Sequence, residues 1–396
     1  MSTTTSLSIK NALKKNTMLI ALVLVMLLFQ LLILATDHGS LFAPSNITNI
    51  INQNSYVVIL ATGMLLCILT GGNIDLSVGS IVALVGAIGG TLIVNLHWNV
   101  YLSILICLLF GILIGAFHGV WIAYVHIPPF IVTLAGMLLW RGVALIVLNG
   151  MTISPLPDNY LVLFSSYFPG EKATAAMIMT VTMSIAVICC IVFLASQIIS
   201  RTRKRKKGYE ISSSAAFIIR LILVSAVVLF IAYLLGQHKG IPAILIIISV
   251  IVLAYAYYTQ NTVPGRYLYA LGGNMKAAKL SGVNTDNVMF FAYTNMGFLS
   301  AIAALVCVAR FNSAAPTAGN MYEMDAIGSC FVGGASAYGG TGTVGGAVIG
   351  AIFMGVLNNG MSILGVDANW QKAVKGLVLL AAVIFDVVSK QKKASK

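Results

Sequence analysis

The stretch MLIALVLVMLLFQLLILAT, Met18 to Thr36, carries no charge and a single side-chain amide, Gln30. A helix rises about 1.5 Å per residue, so about 20 apolar residues cross a hydrocarbon core roughly 30 Å thick. The run is long enough, and Lys10, Lys14 and Lys15 stand before it. No small-residue cleavage site lies between it and Asp37, so it reads as an uncleaved first membrane span rather than a signal peptide.

Comparable apolar stretches fall at 55–70, 77–95, 100–125, 130–148, 176–199, 216–236, 241–258, 288–309, 344–365 and 372–388, with a shorter one at 324–335. The whole chain of 396 residues is 59% hydrophobic and only 8% charged. A soluble surface carries about 25% charged residues, so this exterior must face lipid. The 37 glycines suit close helix packing in that medium. The fold class expected is an all-α polytopic membrane protein.

The formal net charge is +13, but its distribution points to topology, not to nucleic acid. Besides the N-terminal lysines, basic clusters lie at 201–207, at Arg266, Lys276 and Lys279, and at 390–396, each beside an apolar run. Cytoplasmic loops of membrane proteins carry this excess. Both termini are therefore expected inside, with 37–54, 149–175, 237–240 and 310–323 outside. That requires an even count of spans, ten if 324–365 crosses once or twelve if 324–335 crosses alone. The expected organisation is a tail (1–17), a transmembrane domain (18–390) and a second tail (391–396). Within the domain, 200–215 is read as a flexible basic linker and 264–287 as a cytoplasmic segment. No internal repeat is evident. Cys67, Cys107, Cys189, Cys190, Cys307 and Cys330 lie in or beside apolar runs without metal spacing, and read as small buried hydrophobes.

Few motifs carry chemistry. GGNIDLSVGS, Gly71 to Ser80, sets a carboxylate and polar side chains between two membrane runs, after paired glycines that let the backbone break. A charge at membrane depth costs about 2.5–3.5 kcal/mol, so Asp75 is expected to face protein or water. Asn73, Asp75 and Ser77 either line a polar pathway or form a turn that caps the next helix. Arg141 reads as the one basic residue well inside a strong apolar run, and is expected to pin helices rather than face the pathway. Asn358 and Asn359 close an apolar helix with amides suited to sugar hydroxyls, or serve as C-cap residues.

LGGNMKAAKLSGV, Leu271 to Val283, is expected to form a short amphipathic helix from Asn274. Ala277, Ala278 and Leu280 should pack, Lys276 and Lys279 should be solvated, and Gly282 should end it. A defined helix between two spans suits docking on a soluble partner. Gly340, Gly342 and Gly345 match GxGxxG, but no strand precedes them. They continue as the packing ladder Gly342, Gly346, Gly350, and Gly111, Gly115, Gly119 form another. A GxxxxGK[ST] phosphate loop, a metal cluster and a hydrolytic triad are all missing from the sequence. The five histidines are scattered.

Taken together, GGNIDLSVGS, FIVTLAGMLLWRG (130–142), LGGNMKAAKLSGV, ARFNSAAPTAGNMYEMDAIGSCFVGGAS (309–336) and YGGTGTVGGAVIGAIFMGVLNNGMSILGV (338–366) resemble the permease subunits of bacterial ribose, xylose and galactose ABC importers. The resemblance covers most of the chain outside 149–240, and the extra length there is closest to the xylose or multiple-monosaccharide branch. It implies a type II importer fold like that of the vitamin B12 permease, in the bacterial inner membrane. It implies a homodimer of permease chains with two ATP-binding cassette subunits, which would bind the ATP and Mg that this non-enzymatic chain does not. A periplasmic or lipid-anchored sugar-binding protein would deliver the cargo. By position, Gly272, Gly273, Asn274, Ala277, Ala278, Ser281 and Gly282 correspond to the segment that couples to the ATPase. The rival reading is a proton- or ion-coupled carrier. Such carriers usually hold several intramembrane carboxylates, and this chain has ten acids in all, mostly in loops.

Overall fold

The computed structural model describes residues 17–170, 172–209 and 213–394. The basic clusters at Lys10 to Lys15 and at the extreme C-terminus fall wholly or partly outside the described side chains. Among the described residues, ten helices are long and apolar enough to cross a membrane. They are α1 (Thr17–Ala35), α2 (Pro44–Leu69), α3 (Val78–Gly90, prolonged by a π turn Thr91–Asn95), α4 (Val100–Ala123) and α5 (Pro129–Leu148). After a short α6 (Asp158–Ser165) come α7 (Ala175–Lys206), α8 (Ser214–Gly236) and α9 (Ala243–Asn261). Two short helices, α10 (Val263–Gly273) and α11 (Met275–Leu280), lead to the spanning helix α12 (Thr285–Phe311). The chain ends with α13 (Tyr322–Val332), the tenth spanning helix α14 (Val344–Ile363), and α15 (Ala368–Ala394).

The bundle has an inside and an outside of its own. In α2 and α12, 78% of the spanning window is buried, against 11% in α8 and 17% in α7. The core therefore forms around α2 and α12, while α7 and α8 pair as a peripheral hairpin. The glycine ladders make the close contacts: a Cβ at Gly111 or Gly115 would strike the α12 backbone at Gly297 and Tyr293. One at Gly346 or Gly350 would strike the carbonyls of Gly333 and Ser329 beyond and within α13.

Two ends can be distinguished. The basic end holds Leu69, Ala123, the Arg203–Lys206 turn of α7, and α10 with α11. The far end holds Pro44, Phe311 and the 149–175 segment. That segment is more ordered than a loop. It contains α6, and β1 (Tyr167–Phe168) pairs antiparallel with β2 (Ile241–Pro242). Ile153 bridges to Ala314, and the Tyr160 hydroxyl donates to the Leu305 carbonyl at 2.7 Å.

Several expected boundaries shift. Helix α2 begins at Pro44, a full three turns before the apolar run, because bundle neighbours satisfy its amides: Asn54 donates to the Ala351 carbonyl. The 200–215 linker is mostly helix, with Arg201 to Lys206 forming the last turns of α7; residues 210–212 lie outside the described set. Segment 324–335 is α13, and with its following loop it descends beside α2. Tyr322 stacks on Tyr56, Cys330 donates to Ala61, and Gly340 N donates to the Leu69 carbonyl. Helix α15 returns past Asp325 to Ala337, whose N–H donates to Asp386. Helix α15 runs between the same two ends as the ten helices, whereas α13 starts part-way down, at Tyr56. Cys189 is exposed on α7, so only five of the six cysteines are buried.

Candidate functional site where two breaks meet

Gly71 and Gly72 both take positive φ, 130° and 76°, a region that costs glycine little. The chain leaving α2 can therefore reverse, and it re-enters the bundle until Asp75 N lies 3.4 Å from Met64 Sδ, more than a turn back along α2. Helix α3 then starts from within the bundle. A second break follows α12. Residues 312–321 dip inward from the far end, and α13 begins beside Tyr56. The two breaks touch backbone to backbone, since a Cβ on Gly79 would hit the Gly319 carbonyl and one on Gly319 would hit Gly79. The order long helix, break, short helix occurs twice, in opposite directions. Paired broken helices of opposite sense are where transporters place polar groups at mid-membrane.

Around the first break runs a directed hydrogen-bond chain. The Trp140 Nε1–H donates to His118 Nε2 at 3.0 Å. An indole nitrogen only donates, so Nε2 must be the acceptor and Nδ1 carries the neutral ring's proton. Nδ1 lies 3.4 Å from Ser77 Oγ, and Ser77 Oγ donates to Asp75 Oδ1 at 2.5 Å while Ser77 N donates to the same oxygen at 2.8 Å. His118, Ser77 and Asp75 are all buried. Gly136 makes the room, because a Cβ there would overlap the His118 ring. Asp75 and Ser77 are thus enclosed and partnered in this conformation. Asn73 is half-buried and weakly held, 3.3 Å from Thr70 Oγ1 and 3.7 Å from Met289 Sδ.

The second break is held by charge. Arg141 Nη1 donates to the Ala318 carbonyl at 2.5 Å and lies 3.4 Å from that of Pro316, tying α5 to the dipping loop. Arg141 is not the only cation in a membrane run. Lys375 of α15 sits 2.9 Å from Asp325 Oδ1, and the Tyr56 hydroxyl donates to Oδ2 at 2.8 Å. This buried pair joins α13, α15 and α2. Asn359 is fully committed: its amide exchanges hydrogen bonds with Asn46 at 2.9 and 3.0 Å. Both Asn358 and Asn359 lie inside α14, which continues to Ile363, so neither is a C-cap residue. The Asn358 Oδ1 is buried without a partner in the chain.

At the basic end, the segment from Gly272 to Gly282 folds as α10 meeting α11. Asn274 caps α11, accepting from Ala277 N at 3.0 Å, and Gly282 follows its end with φ 86°. Packing differs from the expected pattern. Only Ala278 is buried; Ala277 is exposed and Leu280 is 90% exposed, because a six-residue helix can turn only one narrow face to the bundle. Gly273, Ser281 and Gly282 are also exposed. Gly272 is the anchor: a Cβ there would strike the Leu69 carbonyl and Gly340 N. Tyr269 adds a hydrogen bond to the Gly342 carbonyl at 3.1 Å. The exposed α11 is thus joined, through α10, to Leu69, the last residue of α2. His118, Trp140, Asp325, Lys375 and Asn46 were not singled out in the sequence. The acid in 324–335 and the lysine in 372–388 were the available signal for one pair.

The family described as branched-chain amino acid transport system / permease component matches residues 46–156 and 160–383. The chain is 36% identical over 375 residues to the xylose transport system permease protein XylH of Escherichia coli (strain K12), covering 95% of this chain and 92% of that protein. It is 37% identical to the xylose transport system permease protein of Haemophilus influenzae, covering 95% and 96%. It is 35% identical to the ribose import permease protein RbsC of Escherichia coli (strain K12), covering 92% of each. No solved structure matches the chain.

Proposed function

We propose, since this chain belongs to the branched-chain amino acid transport system / permease component family, that it is the membrane-spanning subunit of an ATP-driven importer whose cargo is a monosaccharide. The relatives named for xylose and ribose transport favour a pentose or related hexose over an amino acid. The observation that carries the mechanism is the seat of α10 on Leu69 and Gly340. Force applied to the exposed α11 from outside the chain reaches the first break directly, through backbone contacts with no flexible side chain between.

In this reading a separate cassette subunit binds ATP and Mg and grips α11, and two permease chains form the pathway between them. Closure of the cassettes shifts α10, which moves the end of α2 and the break carrying Asn73, Asp75 and Ser77. Alternating access follows. A sugar-binding protein, periplasmic or lipid-anchored, meets the far end. The basic end is cytoplasmic and both termini lie there, because the Arg201–Lys207 cluster and α11 share it. The membrane is the bacterial inner membrane.

The test is uptake into vesicles holding the permease, its cassette subunit and its binding protein. Labelled xylose or ribose should accumulate only with ATP inside the compartment that exposes the cassettes. Accumulation that persists when the cassette lysine for phosphate is removed would refute ATP coupling and favour an ion-coupled carrier.

A further inference from the structure

The far-end segment leaves a space beneath it. A cavity of about 130 Å³ is lined by Asn52 and Ser55 of α2, Phe164 of α6, Tyr167 of β1 and Arg310 of α12, with Ser165 at its rim. Its roof is fixed: Tyr160 is buried and bonded to Leu305, Leu156 N donates to Asn312 Oδ1, and Ala243 N donates to the Ser166 carbonyl at 2.8 Å. The lining is already ordered, with Asn52 Nδ2 donating to the Tyr167 hydroxyl at 3.0 Å. Arg310 spends one N–H on the Gln53 carbonyl at 3.3 Å and stacks over Phe311.

We infer that this cavity is a monosaccharide subsite at the far mouth, where cargo pauses between the delivery protein and the paired breaks; this rests on the importer reading above. A pyranose offers hydroxyls around its edge and an apolar C–H face. The Asn52 amide, the Ser55 oxygen as an acceptor (its hydrogen is spent on the Asn52 backbone carbonyl) and the remaining guanidinium donors suit the edge, while Phe164 and Tyr167 supply aromatic surface for the face. The volume is that of roughly four waters at about 30 Å³ each. It admits one edge of a small ring, with the rest of the ring standing at the exposed Ser165 rim, and leaves no room for a disaccharide. Among the described residues no carboxylate lines it, so the competing ligand is an anionic sugar acid drawn to Arg310. A site with this few contacts holds cargo in the millimolar range, as a subsite that must release onward requires.

The experiment uses the full-length permease with Cys189→Ser, which removes the exposed native thiol, and Ser165→Cys as reporter at the rim. D-Xylose or D-ribose at saturating concentration should slow labelling by a membrane-impermeant maleimide about threefold or more, and sucrose should not. Asn52→Ala should remove the protection, and Tyr167→Phe should reduce it, with the thermal melt unchanged. Uptake by the wild-type complex is measured in parallel. No protection by any monosaccharide while that complex imports sugar overturns the subsite and leaves the importer reading standing. Protection in a chain whose complex imports no sugar keeps the subsite and sinks the importer. A sugar acid protecting at tenfold lower concentration than its parent sugar overturns the assignment to a neutral cargo.

Discussion

Leu280 gives the sharpest test of the docking surface. It is 90% exposed and therefore contributes almost nothing to the chain's own fold. Burying a leucine side chain fully is worth about 1.5–3 kcal/mol. If the cassette subunit takes Leu280 into a pocket, Leu280→Ala should forfeit about 1.5–2.5 kcal/mol of that, and about 1.4 kcal/mol is tenfold in affinity. The dissociation constant for the cassette should rise about 10- to 60-fold. Fold stability should stay within about 0.5 kcal/mol, as for other exposed substitutions. The assay is biolayer interferometry of the cassette subunit on permease held in nanodiscs, with a melt followed by a thiol-reactive dye that reports the five buried cysteines. Ala278→Leu is the contrast. Ala278 is buried against this chain, so the larger residue should lower the melt first. Cassette affinity altered less than threefold by Leu280→Ala, or a melt that falls with it, would refute the reasoning.

Gly272→Ala should leave cassette binding intact but cut uptake per ATP hydrolysed severalfold, because its Cβ must push α10 off Leu69 and Gly340; coupled uptake and phosphate release measure this. Lys375→Met should cost about 3–5 kcal/mol by stranding a buried carboxylate, since Asp325 is 2% exposed against 17% for Lys375. Asp325→Asn should cost less, and the double variant should recover stability relative to Lys375→Met in a thermal-melt cycle. Trp140→Phe should cost about 1–3 kcal/mol by leaving His118 Nε2 buried without its donor. It should also raise hydrogen exchange at Ser77, whose hydroxyl the ring orients.

The spanning helices were plain in the sequence, including the buried α3, α12 and α14; the polar first turns of the buried α2 were not. Residues 18–36 and 216–236 read cleanly because most of the surface of α1 and α8 must satisfy lipid. The first three turns of α2 carry Asn46, Thr48, Asn52 and Asn54, which hydropathy scores as loop, yet their partners are Asn359, Pro44, Tyr167 and Ala351. Burial inside a bundle removes the penalty that the reading assumed. The break at Gly71–Gly72 was legible because the backbone there needs glycine. The hydrogen-bond chain from Trp140 to Asp75 was not, because its members come from two helices and the break and meet only in space. Leu280 departs for the opposite reason: its apolar side chain implies packing, but the short helix leaves it free.

Gly79 and Gly319 leave no atoms between the two breaks. Neither segment can yield without displacing its counterpart, so a shift of one break is passed to the other. Under the alternating access proposed above, an opening on both sides at once would need a gap at that junction, which the crowding there does not leave.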